Sequence, residues 1–200
     1  MRCSYCVHPG MIAPGKNQGR LPMDMPRAVF LRALEWVSSF VRKGTQAELN
    51  LAGIGETTLH PELVDFVRLA REAVGPEVKI IFATNGLLVT EELAAALAPH
   101  KPEVWVSMHR PEVGARAYKI LRDAGIAGMR TLDGALQYAN DWAGQVSVPW
   151  KEDYRIPCQW LRQGKAFVFS DGRISRCCLD ATGEGVIGHV VAAKLAKDFA

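Results

Sequence analysis

Five cysteines, at positions 3, 6, 158, 177 and 178, carry most of the reactive chemistry of this 200-residue chain, and none lies between the first pair and the last three. An odd number of thiols grouped in this way fits metal or redox ligation better than a disulfide framework. Cys3-Ser-Tyr-Cys6 is a C-x-x-C pair, a spacing shared by zinc sites, thiol exchange and iron–sulfur clusters. A zinc site would need a second pair of similar spacing, which the adjacent Cys177 and Cys178 do not supply, and a thioredoxin-like pair would follow a strand and open a helix. Away from the thiols, Leu51-Ala-Gly53-Ile-Gly55-Glu56 sets a carboxylate behind two glycines, and Thr84-Asn85-Gly86, Ser107 and His109 add polar groups. Glycine lets a ligand approach the backbone, and a carboxylate beside it can accept hydrogen bonds from an ammonium group. Taken singly, these are ordinary turns and a hydrogen-bonded histidine.

Their places in the expected secondary structure give them more weight. From Asp24 onward, amphipathic helices alternate with short apolar strands, the signature of βαβ units. The pattern predicts a helix capped by Asp24 with Pro26 in its first turn, striped by Val29, Ala33, Val37, Phe40 and Val41 and stopped by Gly44. A strand over 47–52 follows, then a helix opened by Pro61, striped by Leu63, Phe66, Val67, Ala70 and Val74 and ended by Gly75-Pro76. The alternation continues with a strand over 78–83, a helix started by Thr90, a strand over 103–107, a helix over 112–124, a strand over 126–132, a short helix over 135–142 and a strand over 145–149. The architecture is α/β, an open or partial (βα) barrel. Gly53 to Glu56, Thr84 to Gly86 and Ser107 then stand just past strand C-termini, where parallel sheets hold ligands. After Trp150 the pattern changes: Asp171-Gly172, between segments 165–170 and 173–177, predicts a two-residue hairpin. The domains expected are 1–150 and 151–200.

Composition excludes several classes. With 48% hydrophobic and 22% charged residues, a chain of this length removes about 70% of its unfolded surface from water and needs no staple to fold, so any metal site is functional. The 24 Lys and Arg balance 21 Asp and Glu. Arg27, Arg32, Arg42, Lys43, Arg68 and Arg71 are spread along amphipathic segments as solvated charge, which argues against nucleic-acid binding. There is no run of about 18 apolar residues and no basic-then-apolar leader, so neither a membrane span nor secretion is expected and the location is cytoplasmic by default.

The Gly- and Pro-rich stretch from Cys3 to Met23 resembles the cluster loop of radical S-adenosylmethionine (AdoMet) enzymes, whose motif is C-x-x-x-C-x-aromatic-C. Cys3, Tyr5 and Cys6 match its aromatic and last two cysteines. The first cysteine would stand two residues ahead of Met1, so the resemblance implies that Met1 is an internal methionine and that the first barrel strand also lies upstream. Gly53-Ile-Gly55-Glu56 is similar to the family's Gly-Gly-Glu motif, with Thr57 where proline is frequent. Thr84-Asn85-Gly86 resembles its Thr-Asn-Gly turn, and Ser107 stands where the family often places a polar AdoMet contact. Cys158, thirteen residues, Gly172, four residues and Cys177 resemble the opening of SPASM and twitch domains, as does Gly185-Val-Ile-Gly188-His-Val190. The later SPASM cysteines do not occur before Ala200.

This resemblance implies a (βα)6-type partial barrel followed by a small cysteine-containing β-hairpin domain, in an oxidoreductase or modifying enzyme. Cys3 and Cys6 would ligate a catalytic [4Fe–4S] cluster. Glu56 and the backbone of Gly53 to Gly55 would hold the AdoMet ammonium, with Tyr5, Asn85 and Ser107 as further contacts. Cys158 and Cys177 would ligate an auxiliary iron–sulfur cluster, Cys178 facing the other side of the strand. The implied reaction is reductive cleavage of AdoMet to methionine and a 5′-deoxyadenosyl radical, which abstracts hydrogen from a peptide, protein or small-molecule substrate. An electron donor such as flavodoxin or ferredoxin would serve it. The alternative is a catalytically degenerate iron–sulfur or zinc-binding scaffold.

Overall fold

The computed structural model describes residues 24–42, 47–53, 55–126, 128–132, 158–180 and 182–195. The stretch with Cys3, Tyr5 and Cys6, the helix expected over 135–142 and the strand expected over 145–149 lie outside them. The described chain divides into two compact units, one of residues 37–132 and one joining residues 24–36 to 158–194. The helices are α1 (Arg27–Phe40), α2 (Leu63–Val74), α3 (Glu91–Leu97), α4 (Pro111–Asp123) and the single turn α5 (Gln159–Arg162). The strands are β1 (Glu48–Asn50), β2 (Lys79–Thr84), β3 (Glu103–Ser107), β4 (Gly128–Leu132), β5 (Phe167–Val168), β6 (Arg173–Ser175) and β7 (Val186–His189).

In the larger unit β1 to β4 form a parallel sheet in chain order. Parallel neighbours require a crossover between them, and α2, α3 and α4 lie in these connections. Burial on α2 falls on Leu63, Phe66, Val67, Ala70 and Val74, the one-sided stripe that the sequence predicts. Thr90 caps α3, its hydroxyl oxygen accepting the Leu93 N–H at 3.2 Å. Along β3, Val104 and Val106 are buried whereas Glu103, Trp105 and Ser107 are half-buried, so one face is closed and the other partly open. On that open face the Trp105 indole N–H donates to Glu103 Oε1 at 2.8 Å.

β1 is shorter than the predicted 47–52. The Leu51 N–H still donates to the Ile81 carbonyl at 2.7 Å, but Asn50 Oδ1 takes the next available N–H, that of Ala52, at 2.9 Å. A side chain thus competes with the ladder and ends it. Arg71 also departs from the reading of dispersed solvated charge. Its guanidinium donates to the carbonyls of Gly75, Val78, His100 and Lys101 at 2.7, 2.7, 3.0 and 3.2 Å, tying the end of α2 to the segments that enter β2 and β3. Burial lowers its pKa.

The smaller unit is an antiparallel sheet in the order β5-β6-β7, with residues 27–36 of α1. Ala33, Ile174 and Val190 form its buried cluster, and Val29, Trp36, Val168 and Ala193 pack against it. Arg32 donates to the Ala193 carbonyl at 2.8 Å. The buried residues of α1 are Phe30, Ala33 and Leu34, while Phe40 is exposed, so its apolar face is rotated from the predicted Val29-Ala33-Val37-Phe40 stripe. The β5–β6 hairpin has three loop residues, 170–172, in place of the predicted two. Gly172 N–H donates to the Phe169 carbonyl and Phe169 N–H to the Arg173 carbonyl, both at 2.9 Å, and Gly172 sits at φ +91°. This is a turn closed by a left-handed glycine. A Cβ there would lie 2.7 Å from the His189 ring. His189 Nδ1 accepts the Val191 N–H at 3.2 Å, so Nε2 carries the proton and donates to the Asp171 carbonyl at 2.8 Å. Among the described residues no helix is long and apolar enough to cross a membrane.

Candidate functional site

Because β1 and β2 run parallel, the chain leaves both at the same end of the sheet, and the loops that follow meet through the Glu56 carboxylate. Glu56 Oε1 accepts the Thr58 N–H at 3.1 Å, the Thr58 hydroxyl at 2.6 Å and the Thr84 hydroxyl at 2.8 Å. Glu56 Oε2 accepts the Asn85 N–H at 2.7 Å. The bonds from Thr58 cap the short 3-10 turn Thr57–Leu59; those from Thr84 and Asn85 reach the end of β2, 28 and 29 residues away in the chain. Thr84 Oγ1 also accepts the Gly86 N–H at 3.0 Å, and Asn85 Oδ1 accepts the Leu87 N–H at 2.9 Å. Gly86 has φ +79°, and a Cβ on it would lie 2.9 Å from the Ala117 side chain of α4. Arg116, also on α4, donates to the Gly86 and Leu87 carbonyls at 3.2 Å each.

Of the residues singled out from sequence, Glu56 and Asn85 are therefore joined directly. Gly53 and Gly55 are exposed on the loop leading to them. Gly55 has φ +136°, and among the described residues no heavy atom lies within 4 Å of a Cβ placed there, so its backbone is open to a close approach on that side. Ser107 ends the adjacent strand, half-buried, with Leu132 as its register partner, and is not hydrogen-bonded to Glu56 or Asn85. Thr58 and Thr84 are the partners that sequence reasoning leaves without a role. For Thr58 a signal exists, a hydroxyl two residues after a carboxylate at a turn.

In the smaller unit Cys158 is exposed, and Cys177 and Cys178 are half-buried. β6 ends at Ser175, whose Oγ accepts the Cys177 N–H at 3.2 Å, so Cys177 and Cys178 are in the turn beyond the strand and the expected alternation across strand faces does not apply to them. Burial, helped by the neighbouring Cys177 and Cys158, pushes the Cys178 thiol up to about 11 against the opposing charge of Lys165. The following loop is gathered on the buried Asp180 carboxylate. Its Oδ1 accepts from Gly183 N–H at 2.8 Å and Glu184 N–H at 3.0 Å, and its Oδ2 from Gly185 N–H at 2.9 Å and the Ser175 hydroxyl at 2.8 Å. Among the described residues no group of three or more His, Cys, Asp or Glu is arranged to hold a metal ion.

No protein-family model matches the sequence, and no curated protein matches it. The similarity is at the level of structure. BtrN in complex with AdoMet and 2-DOIA matches with a TM-score of 0.67 and 21% identity, over 94% of this chain and 72% of that one. A histidine-tagged form of anSMEcpe with bound AdoMet matches with a TM-score of 0.64 and 14% identity, over 99% of this chain and 73% of that one. Native anSMEcpe with bound AdoMet and the Kp18Cys peptide gives 0.62 and 13%, over 99% and 76%. With its parallel sheet and small antiparallel sheet, the chain shares the α/β fold of these AdoMet-bound structures.

Proposed function

We propose that the protein is a radical SAM enzyme that binds AdoMet at the C-terminal ends of β1, β2 and β3. Cys3 and Cys6, beside Tyr5, would supply two thiolates to a [4Fe–4S] cluster. When reduced, such a cluster supplies the electron that splits AdoMet into methionine and a 5′-deoxyadenosyl radical able to take hydrogen from a substrate. The chain's own residues bind and orient. The exposed backbone at Gly53 and Gly55 would receive the amino-acid moiety, the Glu56 and Asn85 network fixes the neighbouring loop, and Ser107 would offer a hydroxyl from the next strand. Cys158 and Cys177 are proposed as thiolates of an auxiliary iron–sulfur site; in the described residues they are too few to complete it, and no step depends on it. The peptide bound to anSMEcpe is in keeping with a peptide or protein side chain as substrate, and the 2-DOIA bound to BtrN with a small molecule. A soluble one-electron donor such as flavodoxin or ferredoxin would serve it.

The observation that carries this reading is the fold shared with AdoMet-bound structures over 94% or more of the chain, with the Glu56 network at the sheet end where ligands of such folds are held. The test is anaerobic reconstitution with iron and sulfide, with and without a cysteine placed two residues before Met1, followed by dithionite and AdoMet. The extended protein is expected to release 5′-deoxyadenosine, measured by chromatography. A fully iron-loaded sample that yields none would overturn the proposal.

A further inference from the structure

Most of the Glu56 carboxylate is taken up by the protein, Oε1 by three donors and Oε2 by one. A carboxylate offers about four acceptor positions over its two oxygens, and four donors from Thr58, Thr84 and Asn85 meet it at 2.6–3.1 Å. Three of the four fall on Oε1. The bonds run between two loops, and their partners are themselves fixed: Thr84 Oγ1 is bonded to Gly86 N–H and Asn85 Oδ1 to Leu87 N–H. Asn85 thus has its backbone N–H on Glu56 and its side-chain oxygen on Leu87. Among the described residues nothing accepts from its Nδ2, which leaves an anchored N–H donor at the end of β2.

We infer that Glu56 is a positioning residue: it clasps the loop after β1 to the Thr84-Asn85-Gly86 turn after β2, leaves the AdoMet ammonium to the backbone of Gly53 and Gly55, and holds Asn85 so that its Nδ2 donates to an acceptor oxygen of AdoMet. This rests on the AdoMet-binding reading above and differs from the expectation that the carboxylate takes the ammonium itself. The clasp works through Thr84. Removing that hydroxyl while keeping the carboxylate should disturb AdoMet binding nearly as much as altering Glu56, because both changes release the same turn. A carboxylate that carried the ammonium itself would lose far more affinity on Glu56→Gln than on Thr84→Val, which leaves its charge in place.

The test has two arms. In the ligand-free protein, Glu56→Gln puts an amide where Asn85 N–H needs an acceptor, and the Asn85 amide should exchange with solvent about tenfold faster or more, as expected for a lost bond to a charged acceptor, while β3 amides keep their protection. Unchanged Asn85 exchange would overturn the clasp, whatever the protein binds. In the cluster-loaded protein, Thr84→Val and Glu56→Gln are each expected to raise the AdoMet dissociation constant about tenfold, the double variant to add nothing beyond the worse single one, and Thr84→Ser to bind within about twofold of the unsubstituted protein. Full affinity in a Thr84→Val variant that folds and retains its iron, beside a Glu56→Gln variant that loses it, would assign the carboxylate to the ligand and overturn the inference. If Thr84→Val does not fold, the exchange arm and the Asn85→Asp variant decide. Asn85→Asp keeps the acceptor for Leu87 and removes the Nδ2 donor; unweakened AdoMet binding in it would overturn the role of Asn85. Failure of the unsubstituted, iron-loaded protein to bind AdoMet would sink the enzyme reading and the ligand-facing half of this one, while the exchange arm still reports on the clasp.

Discussion

A half-buried thiol with two other thiols near it resists ionisation, and Cys178 is in that position. Its pKa, pushed from the ordinary 9.0 to about 11 by burial and by Cys177 and Cys158, makes the folded state the stronger proton binder between those two values. Stability from this source is present below about pH 9 and is lost as pH rises toward 11, since the slope of unfolding free energy with pH follows the protons bound in the unfolded minus the folded state. Urea midpoints measured from pH 8 to 10.5 should therefore fall more steeply in the parent protein than in Cys178→Ala. Parallel slopes would show that Cys178 ionises as freely when folded as when unfolded. Cys158 is exposed, and in the native protein at pH 8 it should react with iodoacetamide well before Cys178 does.

At the scale of elements, the structural work of Arg71 shows what a linear sequence conceals. Four backbone carbonyls from the end of α2, the start of β2 and the segment before β3 converge on one guanidinium, whose forked donors suit several acceptors at once. Arg71→Met should cost about 2 kcal/mol, the order of one or two lost bonds to a charged donor offset by partial rehydration, and Arg71→Lys should recover less than half of it. A thermal midpoint within a degree of the parent's would contradict this. In the sequence, Arg71 is one more polar position on an amphipathic helix, because its acceptors lie up to 30 residues away and carbonyls leave no trace in residue type. The apolar stripe of α2 was legible because every position is set by local period, from Leu63 to Val74. α1 was less so: the period is right but its face is turned toward Phe30 and Leu34, a choice made by what the helix packs against. For the site, the glycines, Glu56 and Asn85 could be found as motifs at strand ends. That Glu56 bonds to Thr84 and Asn85 follows from β1 pairing with β2 in a particular register, and alternation of hydrophobicity does not specify which strands become neighbours.

At the scale of the molecule, the smaller unit is drawn from both ends of the described chain. β5, β6 and β7 have two, three and four residues, too little sheet to stand without a covering apolar surface. Residues of α1 supply part of it, with Ala33 in the cluster of Ile174 and Val190, Val29 and Trp36 packed beside them, and Arg32 bonded to the Ala193 carbonyl. This unit therefore draws on a helix more than a hundred residues earlier in the sequence, while the four-stranded parallel sheet has its own core in Val67, Ile80, Phe82, Val104 and Val106. Val190 is fully buried, and Val190→Ala should cost about 2 kcal/mol through the apolar contact and cavity terms. If the units open separately, that loss will appear as faster amide exchange in residues 27–36, β6 and β7, with β2 and β3 keeping the parent's protection. Equal loss of protection in both sheets would mean that the two unfold as a single cooperative body.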